Sequence, residues 1–374
     1  MADFFASCPQ EMSVVLEKEL NNLGFEKTER INSGVYFESS WEGCYRANLH
    51  SRLASRIYKP VLEFIAYDQE QLYREIQRHD FTKYIDPQQT LAIDTVINDC
   101  KLHDQRFVTM VIKDAIVDQF REKKGERPSI DSKNADLRIH VKGTKNTFWV
   151  ALDTSGSGLY QRGYRREVGE APIKENLAAG LIEIAEWDKQ SAFVDPMCGA
   201  GTFLIEAALM ALNIAPGTLR KRFGFQNWLN YKSDVWDKLV SEALNNEKEM
   251  IDFPILGYDI DRQVISKAKS NARLAGVDHV VKFQTEAVAV VKAPCEKGIM
   301  ITNPPYGARI GEEDNLKDAY KDLGFTMKNH FKNWDCWILS GNKDLILEMK
   351  LKSSRRVFVY NGPIECRFLK YEMF

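Results

Sequence analysis

The N-terminal half of the chain alternates helical and strand-like patterns of apolar residues. Apolar positions recur every three or four residues along 9–23, which predicts an amphipathic helix, and a longer helix is predicted over 104–124. Apolar and polar residues alternate within 137–152, which predicts two strands with one buried and one free face. With the elements around them, these patterns predict an α+β region of two units, residues 1–67 and 68–155.

The C-terminal half carries short apolar runs, each followed by polar residues or a helical stretch. The runs 191–195, 254–259 and 298–302 are typical of buried strands, and helices are predicted at 202–212 and 262–275. Strands that alternate with helices in this way form parallel sheets with helices on their faces. The pattern therefore predicts a Rossmann-like arrangement in this half.

Two later apolar runs differ from the others because only a tight turn separates them. Residues 355–360 and 366–371 flank an Asn361-Gly362 pair, which predicts an antiparallel hairpin. We place this hairpin at the edge of the sheet. The predicted fold class is α/β, with the Rossmann-like sheet over 171–374 and a linker at 156–170 that follows the α+β region.

Composition restricts the class of protein. The chain has 374 residues, 44% of them apolar, which is enough for two or three domains. Its seven cysteines form no Cys-x-x-Cys pair, and its six histidines lack metal-ligand spacing, so we expect neither a disulfide framework nor a metal site. A basic leader and an apolar run of about 18 residues are both absent, which predicts a cytoplasmic protein without a membrane span.

Charge favours a local contact with nucleic acid over a broad one. The net charge is −2, whereas nonspecific binding depends on many cations that neutralise phosphates. Basic residues with interleaved aromatic residues nevertheless cluster between positions 123 and 166, which is typical of an RNA-binding surface. Solvated surface charges are the alternative interpretation. The predicted RNA contacts are Lys123, Lys124, Arg127, Lys142, Lys145, Arg162, Arg165 and Arg166.

The most informative motif is Asn-Pro-Pro-Tyr at 303–306, directly after a predicted strand. Ligands of open parallel sheets bind beyond the carboxyl ends of the strands. Two prolines restrict the backbone there, so the side-chain oxygen of Asn303 and the carbonyl of Pro304 can accept both hydrogens of an exocyclic amino group. The ring of Tyr306 can stack on the base that carries this group. We therefore predict a base-binding catalytic site at Asn303, Pro304, Pro305 and Tyr306.

A second motif predicts a nucleoside site. The turn 196–201 contains glycines at 199 and 201, between a strand that ends at Asp195 and a helix that begins at Thr202. The third glycine of a dinucleotide fingerprint is missing, which disfavours pyrophosphate. Asp259 ends the next strand and is placed to accept hydrogen bonds from two ribose hydroxyls. A nucleoside without phosphates indicates S-adenosylmethionine.

Taken together, the motifs resemble the RlmL-type large-subunit rRNA guanine-N2 methyltransferases that carry an N-terminal THUMP domain. The resemblance covers nearly the whole chain and implies a seven-stranded methyltransferase sheet after ferredoxin-like and THUMP regions. It also implies methyl transfer from S-adenosylmethionine, with S-adenosylhomocysteine as product, to N2 of a guanosine in 23S rRNA or a pre-ribosomal particle. The motifs that carry it lie at 162–165, 171–178, 195–202, 257–261, 303–307 and 339–343.

The resemblance also implies roles for individual residues. Lys174 and Asn176 would lie near the methionine end of the cofactor, Asp259 would hold its ribose, and Asn303 would adjoin it. A Glu stands at 286 where the family carries an Asp that contacts adenine, and an insertion is expected at 214–252. The basic and aromatic residues of this insertion could contact RNA, and solvated charges on a helix face are the alternative interpretation. The remaining predicted cofactor contacts are Asp195, Pro196, Met197, Cys198, Gly199, Gly201, Thr202, Ile260 and Glu286.

Three other functions remain open from the sequence. The same site could methylate N6 of adenine in DNA or N2 of a tRNA guanine, because the motif at 303–306 reads only an amino group. The chain could be an RNA-binding module whose methyltransferase half is inactive. A nicotinamide-dependent oxidoreductase is disfavoured by the missing glycine. The oligomeric state and the modified nucleotide are not determined by the sequence.

Overall fold

The computed structural model describes residues 3–165, 173–306 and 313–374. The strands of the N-terminal half form one eight-stranded sheet in the order β2-β3-β1-β4-β8-β7-β5-β6. The strands are β1 (Phe4–Ser7), β2 (Thr28–Ile31), β3 (Gly34–Phe37), β4 (Arg56–Ile65), β5 (Thr90–Asn98), β6 (Ser129–Ile130), β7 (Leu137–Thr144) and β8 (Thr147–Asp153).

This single sheet runs through both predicted units, 1–67 and 68–155. Strand β4 pairs with β1 on one side and with β8 on the other, both antiparallel, so the two predicted units share their central strands. The predicted hairpin is present as β7 and β8, which pair antiparallel from Ile139↔Leu152 to Thr144↔Thr147. The N-terminal half is therefore one continuous layer of backbone hydrogen bonds.

Four helices accompany the sheet, and a core of alternate strand residues such as Phe37, Ile57 and Val150 forms between helices and strands. Helix α4 shows how the sequence sets its limits, because the Asp104 side chain accepts hydrogen bonds from two backbone N–H groups at the start. Gly125, at φ +78, ends the same helix in the left-handed conformation. The helices are α1 (Ser13–Asn22), α2 (Trp41–His50), α3 (Gln69–Gln77) and α4 (Gln105–Lys124).

The C-terminal half contains a seven-stranded sheet in the order β11-β10-β9-β12-β13-β15-β14. The first five strands in this order are parallel, and β15 pairs antiparallel with both β13 and β14. The predicted sheet with its reversed edge hairpin is thus confirmed. The strands are β9 (Ala192–Asp195), β10 (Ile255–Asp259), β11 (Val281–Thr285), β12 (Gly298–Thr302), β13 (Asp335–Ser340), β14 (Arg355–Asn361) and β15 (Ile364–Glu372).

Helices cover both faces of this sheet, as alternate residues of β9 demonstrate. Phe193 packs into a core with Leu181 and Ile205, while Val194 packs into a second core with Tyr320 and Leu323. Strands buried on both faces explain the continuous apolar runs in the sequence. The helices are α5 (Glu175–Ile184), α6 (Thr202–Ala211), α7 (Ser233–Asn245), α8 (Arg262–Leu274), α9 (Glu313–His330) and α10 (Lys343–Glu348).

The insertion at 214–252 packs against the N-terminal half. Trp228 is buried, its ring contacts those of Trp41 and Tyr84, and its indole N–H donates to the backbone oxygen of Asp136 at 3.0 Å. The surface of this tryptophan therefore lies inside the protein, and RNA contact by the insertion stays a prediction for its exposed residues. Within the described residues, no helix is long and apolar enough to cross a membrane.

Candidate active site

Three neighbouring strands place the predicted site residues at one edge of the C-terminal sheet. Strand β9 lies between β10 and β12, with Gly257 beside Asp195 and Met300 beside Val194. Because all three strands are parallel, their carboxyl ends meet at the same edge. Asp195 and Asp259 end the first two strands, and Asn303 follows the third. The structure thus brings together the two motifs that the sequence singled out.

The turn after β9 is held in shape by the two acidic residues. The Asp195 carboxylate accepts a hydrogen bond from Met197 N–H, and the Asp259 carboxylate accepts one from Gly199 N–H, each at 3.1 Å. Gly199 has φ +53, and a Cβ added there would have no atom within 4 Å, so open space adjoins the backbone. Such space above a glycine turn is where a ligand can approach the main chain closely.

Gly201 is required for a different reason. Its φ is +83, and a Cβ at this position would come within 2.9 Å of the Phe283 ring. The residue stands directly before α6, so the turn can enter the helix only with glycine here. Cys198 N–H donates to the Tyr258 backbone oxygen at 2.7 Å, which joins the turn to β10. The two glycines therefore serve separate purposes, ligand access at 199 and helix packing at 201.

Asp259 is the half-buried acid of the site. Its second carboxylate oxygen accepts a hydrogen bond from Asp261 N–H at 3.0 Å, and burial raises its pKa above the ordinary value. Ile260 follows with 77% of its surface exposed, an unusual fraction for a large aliphatic side chain. Glu286 is exposed, and its backbone N–H donates to the Asp259 backbone oxygen at 3.0 Å. Asp259, Ile260 and Glu286 thus lie together at the end of β10, and their contact with a ribose and an adenine stays a prediction.

Asp195 lies deeper in the protein than Asp259. Burial raises its pKa to about 7, although the nearby Thr302 hydroxyl and the Met197 N–H oppose that rise. Cys198 is also buried, and burial together with both acids raises the pKa of its thiol well above the usual range. The thiol is therefore not an activated nucleophile.

The motif after β12 presents an unsatisfied acceptor. Asn303 Oδ1 is buried and has no hydrogen-bond partner among the residues that the structure describes. Buried amide oxygens almost always have partners, so this oxygen is available to a ligand donor. Pro304 is buried and Pro305 exposed. The arrangement agrees with a rigid turn that aims the Asn303 side chain.

Tyr306 is anchored by the edge hairpin. Its hydroxyl accepts a hydrogen bond from Asn361 Nδ2 at 2.8 Å, and the Cys366 thiol lies 3.8 Å away. Burial raises the pKa of Tyr306 to about 12. Asn361 was not predicted as a site residue, because the sequence showed only its Asn-Gly turn. The contact across the sheet had no local signal.

Two predicted cofactor contacts lie at the start of α5. The ammonium of the exposed Lys174 lies 4.7 Å from the centre of the Tyr160 ring. Asn176 is buried, and its Nδ2 donates to Ser55 Oγ at 3.0 Å and to the Leu53 backbone oxygen at 3.3 Å. The donor side of this amide therefore binds the N-terminal half. Its Oδ1 is buried without a partner in the described residues, so a cofactor contact there stays a prediction.

Two of the predicted RNA contacts are corrected by the structure. Arg162 is only 1% exposed and donates to the backbone oxygens of Leu159 and Arg52, with the Glu206 carboxylate 3.5 Å away. Arg165 is largely buried between Glu175, at 3.3 Å, and Thr202 Oγ1, at 2.8 Å. Neither guanidinium is available to RNA, because carboxylates distant in sequence draw both into the interior.

The other predicted RNA contacts lie on the surface or outside the described residues. Lys123 and Lys124 form ion pairs with Asp80 at 3.0 Å and Asp86 at 3.5 Å. These carboxylates weaken the attraction of the two lysines for a phosphate. Three further predicted contacts are exposed, namely Arg127, Lys142 and Lys145. Arg166 lies outside the residues that the structure describes.

Arg165 is a residue whose role the sequence analysis did not recognise. Its guanidinium donates to Thr202 Oγ1, the first residue of α6, and to the Ile173 backbone oxygen at 2.9 Å. It therefore joins the start of α5 to the glycine turn. The Arg-Gly-Tyr-Arg motif at 162–165 marked this arginine in the sequence. Its contacts give it a structural role within the catalytic half.

Three family descriptions match successive parts of the chain. The "RlmL ferredoxin-like domain" matches residues 3–58, and the "THUMP domain" matches 66–153. The "RMKL-like, methyltransferase domain" matches 162–370, which is more than half of the chain. The candidate site lies entirely within this last range.

Relatives match over almost the full length of the chain. The ribosomal RNA large subunit methyltransferase K/L of Syntrophotalea carbinolica is 39% identical over 99% of this chain and 53% of its own length. A protein of Synechocystis sp. named "Putative RNA methyltransferase slr0064" is 38% identical over 99% of this chain and 97% of its own length. The chain spans about half the length of the K/L relatives.

Two solved structures have the same fold as this chain over its whole length. The SMU.472 chain, crystallised with S-adenosylhomocysteine, has a TM-score of 0.90 at 30% identity, over 100% of this chain and 98% of that one. A chain from Listeria monocytogenes, described as a predicted N6-adenine-specific DNA methylase, has a TM-score of 0.89 at 29% identity, over 100% and 96%.

These matches confirm the predicted resemblance and the predicted class of S-adenosylmethionine-dependent methyltransferases. The chain belongs to the RMKL-like methyltransferase family, in the architecture that joins an RlmL ferredoxin-like domain and a THUMP domain to the methyltransferase domain.

Proposed function

We propose that this chain methylates the exocyclic N2 of a guanosine in large-subunit ribosomal RNA, with S-adenosylmethionine as methyl donor. The observation that carries the proposal is the buried Oδ1 of Asn303 at the edge of the sheet, which has no hydrogen-bond partner in the ranges 3–165, 173–306 and 313–374. An acceptor in this position matches an N–H donor of a ligand. The K/L relatives, whose names state large-subunit rRNA, support that substrate class.

The residues at the edge of the sheet fit the cofactor. Gly199 leaves open space beside its backbone, and the half-buried Asp259 carboxylate would accept hydrogen bonds from ribose hydroxyls. The exposed side chain of Ile260 would cover one face of the adenine, and Glu286 would lie at its edge. When bound, S-adenosylmethionine supplies an electrophilic methyl group on sulfur.

The residues of the chain then orient the acceptor nitrogen. The lone pair of a guanine amino group is delocalised into the ring, so the nitrogen is a poor nucleophile while it stays planar. Hydrogen bonds to Asn303 Oδ1 and the Pro304 carbonyl would hold the two hydrogens and favour a pyramidal nitrogen. Alignment of this kind is worth ~7 to 11 kcal/mol in well-oriented systems. No strong base is needed, because the methylated nitrogen is acidic and loses its proton to water.

Tyr306 would stack on the target base. Its hydroxyl is held by Asn361, so the ring has a fixed orientation relative to Asn303. Extrusion of a base from a helix costs a few kcal/mol, and stacking on an aromatic ring returns ~1 to 3 kcal/mol per base. A single-stranded or weakly paired guanosine is therefore the preferred target.

Methylation of adenine N6 is the second candidate. Adenine also carries an exocyclic amino group, which can donate hydrogen bonds to Asn303 Oδ1 and to the Pro304 carbonyl. The two reactions differ in their product. Protein-free 23S rRNA, large-subunit particles, tRNA and DNA are each incubated with the chain and labelled S-adenosylmethionine, then digested to nucleosides. Labelled 2-methylguanosine from rRNA alone supports the proposal, whereas 6-methyladenosine, or label in tRNA or DNA only, overturns it.

A further inference from the structure

A cavity of about 390 Å³ lies where the N-terminal sheet meets the insertion of the methyltransferase half. We call it the junction cavity. Among its described lining residues there is no carboxylate side chain, while four are cationic. These are Arg56, Lys133, Arg138 and Arg222.

The four cations come from three separate stretches of the chain. Arg56 is the first residue of β4 and falls in the ferredoxin-like match. Lys133 precedes β7 and Arg138 is its second residue, both in the THUMP match. Arg222 lies in the insertion, in the methyltransferase match. The cavity is therefore bordered by all three matched domains.

The walls of the cavity are fixed by close backbone packing. A Cβ at Gly156 would lie 3.0 Å from the Gly224 nitrogen, and Phe225 N–H donates to the Thr154 backbone oxygen at 3.0 Å. The Arg220 guanidinium donates to the backbone oxygens of four residues at 2.7–3.2 Å, which holds the segment 155–161 against the insertion. Arg220 is thus used to build the wall.

Two of the four lining cations are neutralised inside the protein. Arg56 pairs with the buried Asp153, and Arg138 pairs with Asp94 at 2.7 Å. Lys133 and Arg222 are exposed and form no ion pair with any residue that the structure describes. These two positive charges thus border the cavity without an ion pair in the described ranges, and the Asp131 carboxylate, which attracts Lys133 and Arg138, is not among the lining residues. The cavity also has the neutral donors Asn134 and Gln161.

We propose that the junction cavity binds the phosphodiester backbone of the RNA substrate through Lys133 and Arg222. The cavity lining carries cations and no carboxylate side chain, which favours a polyanion, and phosphate oxygens accept hydrogen bonds from both a lysine and an arginine. The inference rests on the proposed function for the identity of the polyanion. An RNA strand in this cavity touches the recognition half and the catalytic half together, so it fixes the path of the substrate between them.

The test uses the full chain with Lys133→Gln and Arg222→Gln combined. Protein-free 23S rRNA is the probe, and filter binding gives the dissociation constant between 50 and 200 mM KCl. Each lost phosphate contact lowers the slope of log K against log salt by about 1. We expect the slope to fall by about 2 and the affinity at low salt to fall by about tenfold or more.

A matched control separates this site from general charge. Lys18→Gln with Arg106→Gln removes the same two charges from exposed positions on α1 and α4 that do not line the cavity. The control is expected to bind like the wild type, and both double variants should unfold at the wild-type temperature. Equal slopes for the junction variant and the control would overturn the inference. If the wild type itself does not bind rRNA, the proposed function fails as well.

Discussion

The Asp259 carboxylate accepts a hydrogen bond from the Gly199 backbone N–H at 3.1 Å, across a sequence separation of 60 residues. One acid therefore shapes the glycine turn. The proposed ribose anchor and the open backbone at Gly199 are thus joined directly. A change at either residue is expected to affect the other.

Asp259→Ala is expected to weaken S-adenosylmethionine binding by about 1.5 to 3 kcal/mol, the usual contribution of hydrogen bonds to a charged group. Isothermal titration of the folded variant gives the affinity. Asp252→Ala removes an exposed acid just before β10 and serves as the control, with unchanged binding. If the two variants bind the cofactor equally well, Asp259 is not the ribose anchor.

Asp195 predicts a pH dependence of stability. Burial raises its pKa in the folded protein to about 7, above the ordinary value of 3.8. Between about pH 4 and pH 7 the folded state therefore binds more protons than the unfolded state. The contribution of Asp195 to the free energy of unfolding thus falls as pH rises through this interval. Asp195→Asn removes the titrating group and keeps the acceptor for Met197 N–H.

The free energy of unfolding of the Asp195→Asn variant, relative to the wild type, should therefore increase between pH 5 and pH 8. Urea denaturation at both pH values measures it, and one pKa unit corresponds to about 1.4 kcal/mol. A difference between variant and wild type that stays constant with pH is incompatible with a raised pKa at Asp195.

Arg162→Met tests whether the buried Arg162 stabilises the fold and makes no contact with RNA. Removal of one partner of a buried pair typically costs about 3 to 5 kcal/mol, because the other charge is left uncompensated. We expect a loss of stability of this order without a change in the salt dependence of RNA binding. Combining it with Glu206→Gln should cost less than the sum of the two single changes. Weaker RNA binding at unchanged stability would restore Arg162 as an RNA contact.

The elements of the methyltransferase half were predictable because their signals are local. Buried strands on both faces give continuous apolar runs, and β12 matches its predicted bounds at Gly298–Thr302. The acids at the strand ends and the glycines at 199 and 201 also stand in sequence where the site needs them. Local patterns therefore predicted both the sheet and the residues at its edge.

The errors arose where a residue's environment depends on distant partners. Arg162 was interpreted as a surface charge because Glu206, which lies 44 positions away, gives no local sign of contact. Pairing of β4 with β8 joins residues almost a hundred positions apart, so the sheet that the two predicted units share was not predicted. The Asn361 contact with Tyr306 spans 55 positions and was not predicted for the same reason.

The central claim is that Asn303 orients an exocyclic amino group for methyl transfer. The most direct measurement is single-turnover methylation of 23S rRNA by the wild type and by Asn303→Ala, with the product identified as a nucleoside by mass spectrometry and cofactor affinity measured in parallel. Loss of one preorganised polar group predicts a rate lower by about 10² or more, unchanged cofactor affinity and 2-methylguanosine as the residual product. A variant that methylates at the wild-type rate, or that loses cofactor binding and rate together, would contradict the claim.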